Sequence, residues 1–492
     1  MTKTVSLVWF RRDLRLSDNP ALAAALRGGD PVIGLYILDD QTFFAPGGAQ
    51  KWFLHHALNS LAAGLGRTGV PLLLRRGREA ACLIATARET GAARVYWNRR
   101  YAPAEIETDR AIKGALTGAA IEAQSFSANL LREPWEIATK TGGPYRVFTP
   151  FWNALRMLGP ARTECAAPAP APAQQPSDPA DFTVELQNLD LLPRNPDWAA
   201  AFGGEWRPSE AGAAAALAAF LDGPLSTYAA DRDRPDRRGT SRLSPHLALG
   251  VISPLTVWNS TLAAVEGGAM TVSNAEKFLS ELAWREFAYH LFYHFPTMAS
   301  APLRPEFERF PWREDPAAFD AWAHGRTGVP IVDAGMRELW RAGYMHNRVR
   351  MIAASFLTKN LLIDWRKGER WFWDTLVDAD PANNSASWQW VAGCGADAAP
   401  YFRIFNPVSQ GEKFDPNGDY VRANVAEIAA LPNEFIHAPW TAPQAVLDRA
   451  GVRLGEVYPR PIVDLRQSRE RALAAYDSVR SRPSLETGAV NA

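Results

Sequence analysis

The chain of 492 residues is poor in cysteine and histidine and carries no net charge. Its three cysteines, Cys82, Cys165 and Cys394, are too few for a disulfide framework or a four-thiolate iron–sulfur cluster within one chain. The eight histidines include one adjacent pair, His55 and His56, and no spacing typical of zinc, so we expect no metal. Basic and acidic residues balance at 53 each, so any polyanion site must be a local patch.

Long apolar runs are also missing. The first run breaks at Arg11 and Arg12, before a signal-peptide core could form, and no stretch reaches the roughly 20 residues needed to cross a membrane. These absences predict a cytoplasmic protein with no membrane partner. Tryptophan is abundant instead, with 18 in the chain and nine of them between residues 284 and 390. Such aromatics usually form a core, but they also stack on planar ligands or pass electrons.

The first part of the chain predicts an α/β fold. Short apolar runs alternate with helix-like segments, as in β-α-β units whose parallel strands are covered on both faces. We therefore predict a doubly wound, Rossmann-like parallel sheet over residues 1–130. Its strands are expected at 5–10, 31–38, 71–74, 94–98 and 121–126. The first crossover helix is expected to begin at Pro20, after a cap from Ser17, Asp18 or Asn19.

The second part predicts a helical domain. A Pro/Ala-rich segment at 166–181 marks a surface connector, and we assign residues 131–204 to an interdomain linker. Helical periodicity then dominates, which predicts an all-α domain over 205–480 and a short tail over 481–492. The clearest helical segments are 211–221, 274–294, 332–339 and 348–362.

Two glycine-containing motifs differ in what they predict. Gly64 to Gly69 matches G-x-G-x-x-G, but it follows a helix and precedes a strand, so we interpret it as a helix end and loop. Gly239 to Pro245 brings two hydroxyl residues and Arg242 to the start of a helix, with Ser244 as the expected N-cap. This second motif could hold a diphosphate, and a capped surface helix is an equally weighted alternative.

Three further segments place polar groups beside aromatic or soft apolar ones. Spacing of three to four residues puts Glu281 on one helical face with two aromatics, where it would pair with Arg285 or hydrogen-bond a heterocycle. A second face combines an amide, a cation and a thioether, which suits the edge of a base or flavin, although surface solvation is the alternative. The segment from Asp378 to Asn384 lacks the Gly and Glu of a calcium loop, which leaves its acids free for a ribose or heterocyclic N–H. The residues of the first two faces are Phe278, Glu281, Trp284 and Arg285, and Asn347, Arg350 and Met351.

Read together, these segments resemble the photolyase/cryptochrome family nearly end to end. The stretches that carry the resemblance are VWFRRDLRLSDNPAL, GTSRLSPHLALGVISP, ELAWREF, TGVPIVDAGMREL, MHNRVRMIAASFLTKNLLIDWRKGE and DADPANNSASWQWVAGCGADAAPYFRIFNPVSQGEKFD. The MHNRVRM version, with Met351, looks like repairers of cyclobutane pyrimidine dimers, and WNRRY and GGPYRVFTPFW are similar to the bacterial class III subgroup. The resemblance implies an antenna domain followed by a helical domain that binds FAD in a U-shaped conformation.

The resemblance also implies roles for individual residues. Expected around the FAD diphosphate are Tyr228, Thr240, Ser241, Arg242, Leu243 and Ser244. Expected along the flavin are Phe278, Arg285, Asn347, Arg350, Asp378 and Asp380, with Asn384 beside the nitrogen that takes up a proton on reduction. Expected around the lesion are Glu281, which would also contact adenine, and Trp284, Asn347, Arg348, Met351 and Trp390. Arg232 and Arg403 are candidates for contacts to backbone phosphates.

The implied activity is light-dependent repair of UV-damaged DNA by a bacterial carbon–carbon lyase, acting as a monomer with no protein partner. Excited reduced FAD would donate one electron to the dimer and take it back, while Trp388, Trp365 and Trp312 would reduce oxidised flavin. Trp322 and Tyr401 are alternatives for that chain. Glu105 matches a carboxylate that contacts a folate antenna in some relatives, so we expect methenyltetrahydrofolate, with a deazaflavin or no antenna as alternatives.

Two other function classes stay open at this stage. A cryptochrome photoreceptor would keep the flavin without repair, but the repair-type residues Glu281, Trp284, Met351 and Trp390 argue against it. A light-independent protein that binds damaged DNA would use stacking aromatics and basic grooves alone. Turnover under illumination separates that third class from the other two.

Overall fold

The computed structural model describes residues 4–172, 183–268, 270–397 and 402–480. Five parallel strands form one sheet in the order β3-β2-β1-β4-β5, and the rest of the described chain is helical or irregular. The strands are β1 (Val5–Phe10), β2 (Val32–Leu38), β3 (Leu72–Arg76), β4 (Ala92–Asn98) and β5 (Glu122–Phe126). This architecture confirms the predicted doubly wound sheet followed by a helical part.

The strand sequences explain this topology. Every residue of β1 and β2 is buried, as expected for central parallel strands with helices on both faces. The predicted bounds agree within two residues. The largest differences are at β3, which continues to Arg76, and at β4, which begins at Ala92. Arg75 and Arg76 extend β3 because they pair with Ile37 and Leu38 of β2.

The described residues form twenty-one α-helices beside the sheet. The first five are α1 (Pro20–Arg27), α2 (Gly48–Arg67), α3 (Glu79–Glu89), α4 (Pro103–Gly118) and α5 (Phe148–Leu158). The next eight are α6 (Phe202–Glu205), α7 (Glu210–Asp222), α8 (Tyr228–Asp231), α9 (Ser244–Ala248), α10 (Pro254–Glu266), α11 (Val272–His294), α12 (Pro316–Ala323) and α13 (Pro330–Ala342). The last eight are α14 (Asn347–Ser355), α15 (Trp365–Thr375), α16 (Pro381–Ala392), α17 (Pro407–Phe414), α18 (Asp419–Asn424), α19 (Asn433–Ile436), α20 (Gln444–Arg449) and α21 (Leu465–Arg480).

Local signals set several helix ends. The Asn19 side chain accepts a hydrogen bond from the Leu22 backbone N–H at 3.1 Å, and Pro20 is the first residue of α1, as predicted. The segment from Gly64 to Gly69 ends α2 and leads to β3, which agrees with its interpretation as a helix end and loop. Gly69 has φ of 74°, a left-handed conformation that favours glycine.

The helix predicted over 348–362 ends earlier than expected. α14 stops at Ser355, and Phe356–Asn360 forms a π-helical turn. The Thr358 hydroxyl donates to the Ala354 carbonyl at 2.8 Å, a side-chain contact that competes with the regular helical ladder. Periodicity alone does not show this widening.

The predicted linker is more structured than a connector. It contains α5, whose Phe148, Phe151 and Leu155 are buried against the core. One hydrophobic cluster joins strand residues such as Phe10 to helical residues such as Phe287. Packing therefore does not separate the two parts at residue 130, and the domain boundaries stay a prediction. Most of the Pro/Ala segment and the tail over 481–492 lie outside the described residues.

Candidate active site

The helical part encloses a cavity of about 650 Å³, a size typical of ligand sites. Its lining comes mainly from α11, α14 and α16 and from the segment around 240–244. Most residues predicted for flavin and lesion binding line this one cavity: Tyr228, Arg232, Thr240, Ser241, Arg242, Leu243, Ser244, Phe278, Glu281, Trp284, Arg285, Asn347, Arg348, Arg350, Met351, Asp378, Asp380, Asn384, Trp388 and Trp390. The other predicted residues, Glu105, Trp312, Trp365 and Arg403, do not line it.

Glu281 on α11 is held by two cations. Its carboxylate pairs with Arg232, and the Lys277 Nζ lies 3.2 Å from the same oxygen. The contact between Glu281 and Arg285 considered from sequence is not formed. Arg285 instead donates to the Asn129 carbonyl at 2.7 Å, so its charge is directed toward the segment before α5. Glu281 therefore lines the cavity with its Oε1 paired to Arg232 and Lys277. Its second oxygen accepts no hydrogen bond from Arg232.

Asp378 is the anchor of the cavity's polar wall. Its Oδ2 accepts hydrogen bonds from the Ser244 hydroxyl at 2.6 Å and from Arg350 Nη2 at 2.8 Å. Its Oδ1 is buried and has no hydrogen-bond partner among the described residues. A buried acceptor without a donor is costly, so a hydroxyl or N–H of a bound ligand would stabilise this position.

The segment around 240–244 differs from its prediction. Ser244 is the first residue of α9 and Leu243 is the N-cap, so the predicted N-cap role of Ser244 is wrong. The Ser244 hydroxyl is drawn away from the helix end by the Asp378 carboxylate. Arg242 adopts a φ of 52° and donates to Glu205 at 3.0 Å, with its guanidinium 4.5 Å from the Trp206 ring centroid. The predicted anion-binding cation is thus already paired.

Asp380 is not a free acid, contrary to the sequence interpretation. Its Oδ1 accepts from the Asn383 backbone N–H at 2.9 Å and so caps α16. Its Oδ2 accepts from the Tyr289 hydroxyl at 2.6 Å. The capping pattern places Pro381 at the start of α16, and this helix then presents Asn384, along with Trp388 and Trp390, to the cavity.

Asn384 lies beside a second buried carboxyl group. Its Nδ2 donates to the Glu369 carbonyl at 3.0 Å, and the neighbouring Ser385 hydroxyl donates to Glu369 Oε1 at 2.6 Å. Burial raises the pKa of Glu369 to about 7, although the Ser385 hydrogen bond opposes this. The Glu369 backbone carbonyl therefore orients the Asn384 amide, with Nδ2 directed toward that carbonyl.

α14 presents the third predicted face. Asn347, Arg350 and Met351 all line the cavity, as their spacing predicted. His346 caps this helix, because its Nδ1 accepts from the Arg348 backbone N–H at 3.2 Å. Burial lowers the pKa of His346 to about 4, so the ring is neutral near pH 7. The Arg348 side chain donates to Asp233 at 2.8 Å.

Two tryptophans form aromatic walls of the cavity. Trp284 stacks on Phe148, with ring centroids 3.7 Å apart and planes inclined by 7°. Trp390 donates from its indole N–H to the Asp397 carbonyl at 3.1 Å. Planar walls of this kind suit the stacking of nucleobases.

Among the described residues, no ring contact joins the three tryptophans of the predicted electron chain to one another. Trp388 and Trp365 are buried, and Trp312 is half-buried beside Phe310, with centroids 4.3 Å apart. Trp388 contacts the buried Trp322 edge-on, at a centroid distance of 6.2 Å. The alternative residue Tyr401 lies outside the described residues.

A second cavity of about 600 Å³ adjoins the first. The two share Asp233 and Arg348. The second is also lined by Arg234, Arg403 and Lys413. This concentration of cations gives a local basic patch in a chain of zero net charge. Such a patch suits a phosphate backbone.

Glu105 belongs to the α/β part, away from both cavities. Its carboxylate lies 3.5 Å from Arg100 Nη1 and 3.8 Å from Arg12 Nη2, at the start of α4. Arg100 also forms a bidentate pair with Glu79, at 2.8 and 2.6 Å. Glu105 is therefore part of a buried ion cluster at the carboxyl end of the sheet.

Sequence reasoning missed several residues that shape the site. Lys277 lies four residues before Glu281 on α11, and this spacing could have identified it. Asp233, Tyr289 and Phe148 act through tertiary contacts, for which the sequence carries no local signal.

The described residues contain no helix long and apolar enough to span a lipid bilayer. They also contain no group of three or more His, Cys, Asp or Glu side chains placed to hold a metal ion. The polar groups that line the main cavity are carboxylates, amides, guanidiniums and hydroxyls.

Comparisons with known proteins agree with this geometry. The family model for the FAD binding domain of DNA photolyase matches residues 278–478, and the DNA photolyase model matches residues 6–173. A deoxyribodipyrimidine photo-lyase of Agrobacterium fabrum is 52% identical, over 96% of this chain and 98% of the relative. Cryptochrome-1 of Arabidopsis thaliana is 37% identical, over 98% of this chain and 72% of the relative.

Solved structures give the same assignment. A bacterial class III photolyase from Agrobacterium tumefaciens superposes with a TM-score of 0.94 at 50% identity, covering 98% of this chain and 99% of that one. The two family models together span the sheet and most of the helical part that encloses the cavity. Sequence, fold and comparisons agree, and the chain belongs to the photolyase/cryptochrome family.

Proposed function

We propose that this protein is a light-dependent DNA repair enzyme that splits cyclobutane pyrimidine dimers. The observation that carries the proposal is that one cavity has both a polar wall, whose groups suit a flavin, and two aromatic walls, Trp284 and Trp390. Similarity to deoxyribodipyrimidine photo-lyases over nearly the full chain supports the same activity.

FAD fits the donor set of the main cavity. The unpartnered Asp378 Oδ1 calls for a donor, and FAD carries hydroxyl and N–H groups that can supply one. When bound in its reduced form, FAD supplies a photoexcited electron that opens the cyclobutane ring and then returns, with no net redox change. We assign the diphosphate to Tyr228 and the segment 240–244, and the flavin edge to Arg285, Asn347, Arg350 and Asn384.

The remaining residues act on the DNA. The dimer must leave the base stack, at a cost of roughly a few kcal/mol that is smallest for damaged bases; photolyases are among the standard examples of base flipping. Trp284 and Trp390 then stack on the extruded pyrimidines, while Asn347 and Met351 line the same cavity. Arg348 and Arg403, beside Lys413 in the basic cavity, contact the phosphates and make binding depend on salt.

Arg232 holds Glu281 in place before any DNA arrives. Its pairing with that carboxylate raises the pKa of Arg232 against the opposing effect of burial, which is the largest influence on this group. We therefore assign Arg232 a second role beside its expected phosphate contact: it holds the Glu281 carboxylate at the cavity wall. A carboxylate acceptor at this place would accept hydrogen bonds from adenine or from the lesion.

The tryptophans beside the cavity would reduce the oxidised flavin by electron transfer. The predicted route runs through Trp388, Trp365 and Trp312, and Trp322 offers a second route by direct ring contact with Trp388. For the α/β part, we keep methenyltetrahydrofolate as the proposed antenna near Glu105, with a deazaflavin or no antenna as alternatives. An absorbance band in the near ultraviolet beyond that of flavin would distinguish these three cases.

The cryptochrome alternative rests on the 37% identity to Cryptochrome-1. A direct experiment separates it from repair: the reduced holoprotein is incubated with a dimer-containing oligonucleotide in darkness and in blue light, and thymine absorbance is followed. Recovery of absorbance only in the light supports repair. Equal signals in light and darkness contradict it, and an absence of recovery with normal flavin photochemistry favours the photoreceptor.

A further inference from the structure

Phe148 lies behind one wall of the cavity without lining it. Its ring is parallel to the Trp284 indole, with centroids 3.7 Å apart and an angle of 7°. Phe148 is 8% exposed, and both rings contact Phe287 edge-on at 5.9 Å. One face of Trp284 is therefore fully used by Phe148, which leaves the other for a ligand in the cavity.

The position of Phe148 is fixed by contacts outside the cavity. It is the first residue of α5, and the segment before it is tied to α11, because the Tyr145 backbone N–H donates to His290 Nε2 at 3.0 Å. His290 Nδ1 lies 3.1 Å from the Pro134 carbonyl, so the neutral ring donates there and accepts from Tyr145. Burial lowers the pKa of His290 to about 4, in agreement with a neutral ring.

Buried side chains one turn further along complete this support. Phe151 packs against Phe287 and His290 at centroid distances of 5.2 Å, and Leu155 is fully buried. Neither contributes a ring contact to Trp284 among the described pairs. Phe148 is thus held rigidly by α5 and α11, while it alone from α5 stacks on the tryptophan.

We propose that Phe148 is a positioning residue that holds the Trp284 indole as a preformed stacking platform for the extruded pyrimidine pair. The inference rests on the proposed repair function and extends it to a residue from the segment between the two parts of the chain. A side chain that is already ordered loses less conformational freedom on binding, so the platform favours the lesion over an unflipped base.

Substitution of Phe148 by Leu keeps an apolar, somewhat smaller side chain but removes the parallel ring. We expect the affinity for dimer-containing DNA to fall about three- to tenfold, the range that a lost aromatic stack converts to. Affinity for undamaged DNA, flavin content and thermal midpoint should stay close to those of the matched control Phe151→Leu. Phe148→Tyr keeps an aromatic plane and should retain most of the lesion affinity.

A double-mutant cycle tests whether Phe148 acts through Trp284. In a Trp284→Leu background, Phe148→Leu should have no further effect on lesion affinity, whereas an independent structural role would give additive losses. Phe148→Met removes the plane with a more adaptable side chain, in case the Leu variant folds poorly. Equal losses in Phe148→Leu and Phe151→Leu, no loss in either, or additivity with Trp284→Leu would overturn the inference.

The wild-type protein separates this inference from the proposed function. If wild type shows no preference for dimer-containing over undamaged DNA, the repair proposal itself fails. If wild type shows the preference and Phe148→Leu retains it in full, only the role of Phe148 is refuted.

Discussion

Substitution of Arg350 by Met tests the polar wall of the cavity. Arg350 donates to Asp378 at 2.8 Å, and the side chains of the two residues are 22% and 2% exposed. Removing the guanidinium leaves a buried carboxylate with the Ser244 hydroxyl as its remaining donor. Removing one partner of a buried ion pair costs about 3–5 kcal/mol of stability. Because the Ser244 hydrogen bond remains, we expect Arg350→Met to cost about 3 kcal/mol.

The opposite substitution, Asp378→Asn, should cost less. Arg350 keeps its hydrogen bond to the Met345 carbonyl at 2.7 Å and has partial access to water, so we expect a loss of about 1 kcal/mol. In the Asp378→Asn background, Arg350→Met no longer strands a charge. We therefore expect a coupling of about 2 kcal/mol between the two positions.

Equilibrium urea unfolding at a fixed excess of FAD measures these free energies, because ligand concentration contributes to apparent stability. Arg348→Met is the matched control on the same helix. Its partner Asp233 is 30% exposed, so the loss should stay near about 1 kcal/mol. The reasoning is refuted if Arg350→Met is no more destabilising than Arg348→Met, or if its cost is unchanged in the Asp378→Asn background.

Three further predictions concern buried titratable groups and the electron route. Burial lowers the pKa of His346 to about 4. As pH falls from 6.5 to 4, the unfolded state therefore takes up its proton first, and His346 lowers the free energy of unfolding by about 3 kcal/mol. The variant His346→Asn keeps a capping oxygen, so it should lose less stability than wild type between pH 7 and 5 in urea titrations. Burial raises the pKa of Glu286 to about 7, so as pH rises from 4.5 to 7 the unfolded state loses its proton first. The variant Glu286→Gln keeps an acceptor for the Leu131 N–H, and its free energy of unfolding should rise by about 3 kcal/mol relative to wild type over that range. A difference in stability that does not change with pH would contradict this. Flavin photoreduction, followed by absorbance under blue light, should slow at least tenfold in Trp388→Phe. The variants Trp365→Phe and Trp322→Phe distinguish the two routes, because only the variant on the route in use should slow photoreduction.

Features of the fold that depend on residues close together in the chain can be predicted from the sequence alone. The central strands β1 and β2 are visible as buried apolar runs. The start of α1 follows from Asn19 and Pro20, because helix capping is settled within a few residues. The face of α11 that carries Glu281 and Trp284 also follows from spacing, since residues three or four apart share one side of a helix.

The family resemblance extended this reading to the set of residues that line the cavity. It did not reveal what each side chain contacts. Asp380 looked free from the sequence but is used as a helix cap, and Ser244 looked like a cap but is used as a donor to Asp378. Local propensity placed the right residue types and left their partners undetermined.

Those partners depend on how the whole chain folds, because they lie far apart in the sequence. Ser244 and Asp378 are 134 residues apart, Tyr289 and Asp380 are 91 apart, and Arg232 and Glu281 are 49 apart. Which charge pairs with which depends on how helices pack, and packing is a property of the whole core rather than of any short segment. The stack of Phe148 on Trp284 follows the same principle, since α5 and α11 meet only once the chain has folded.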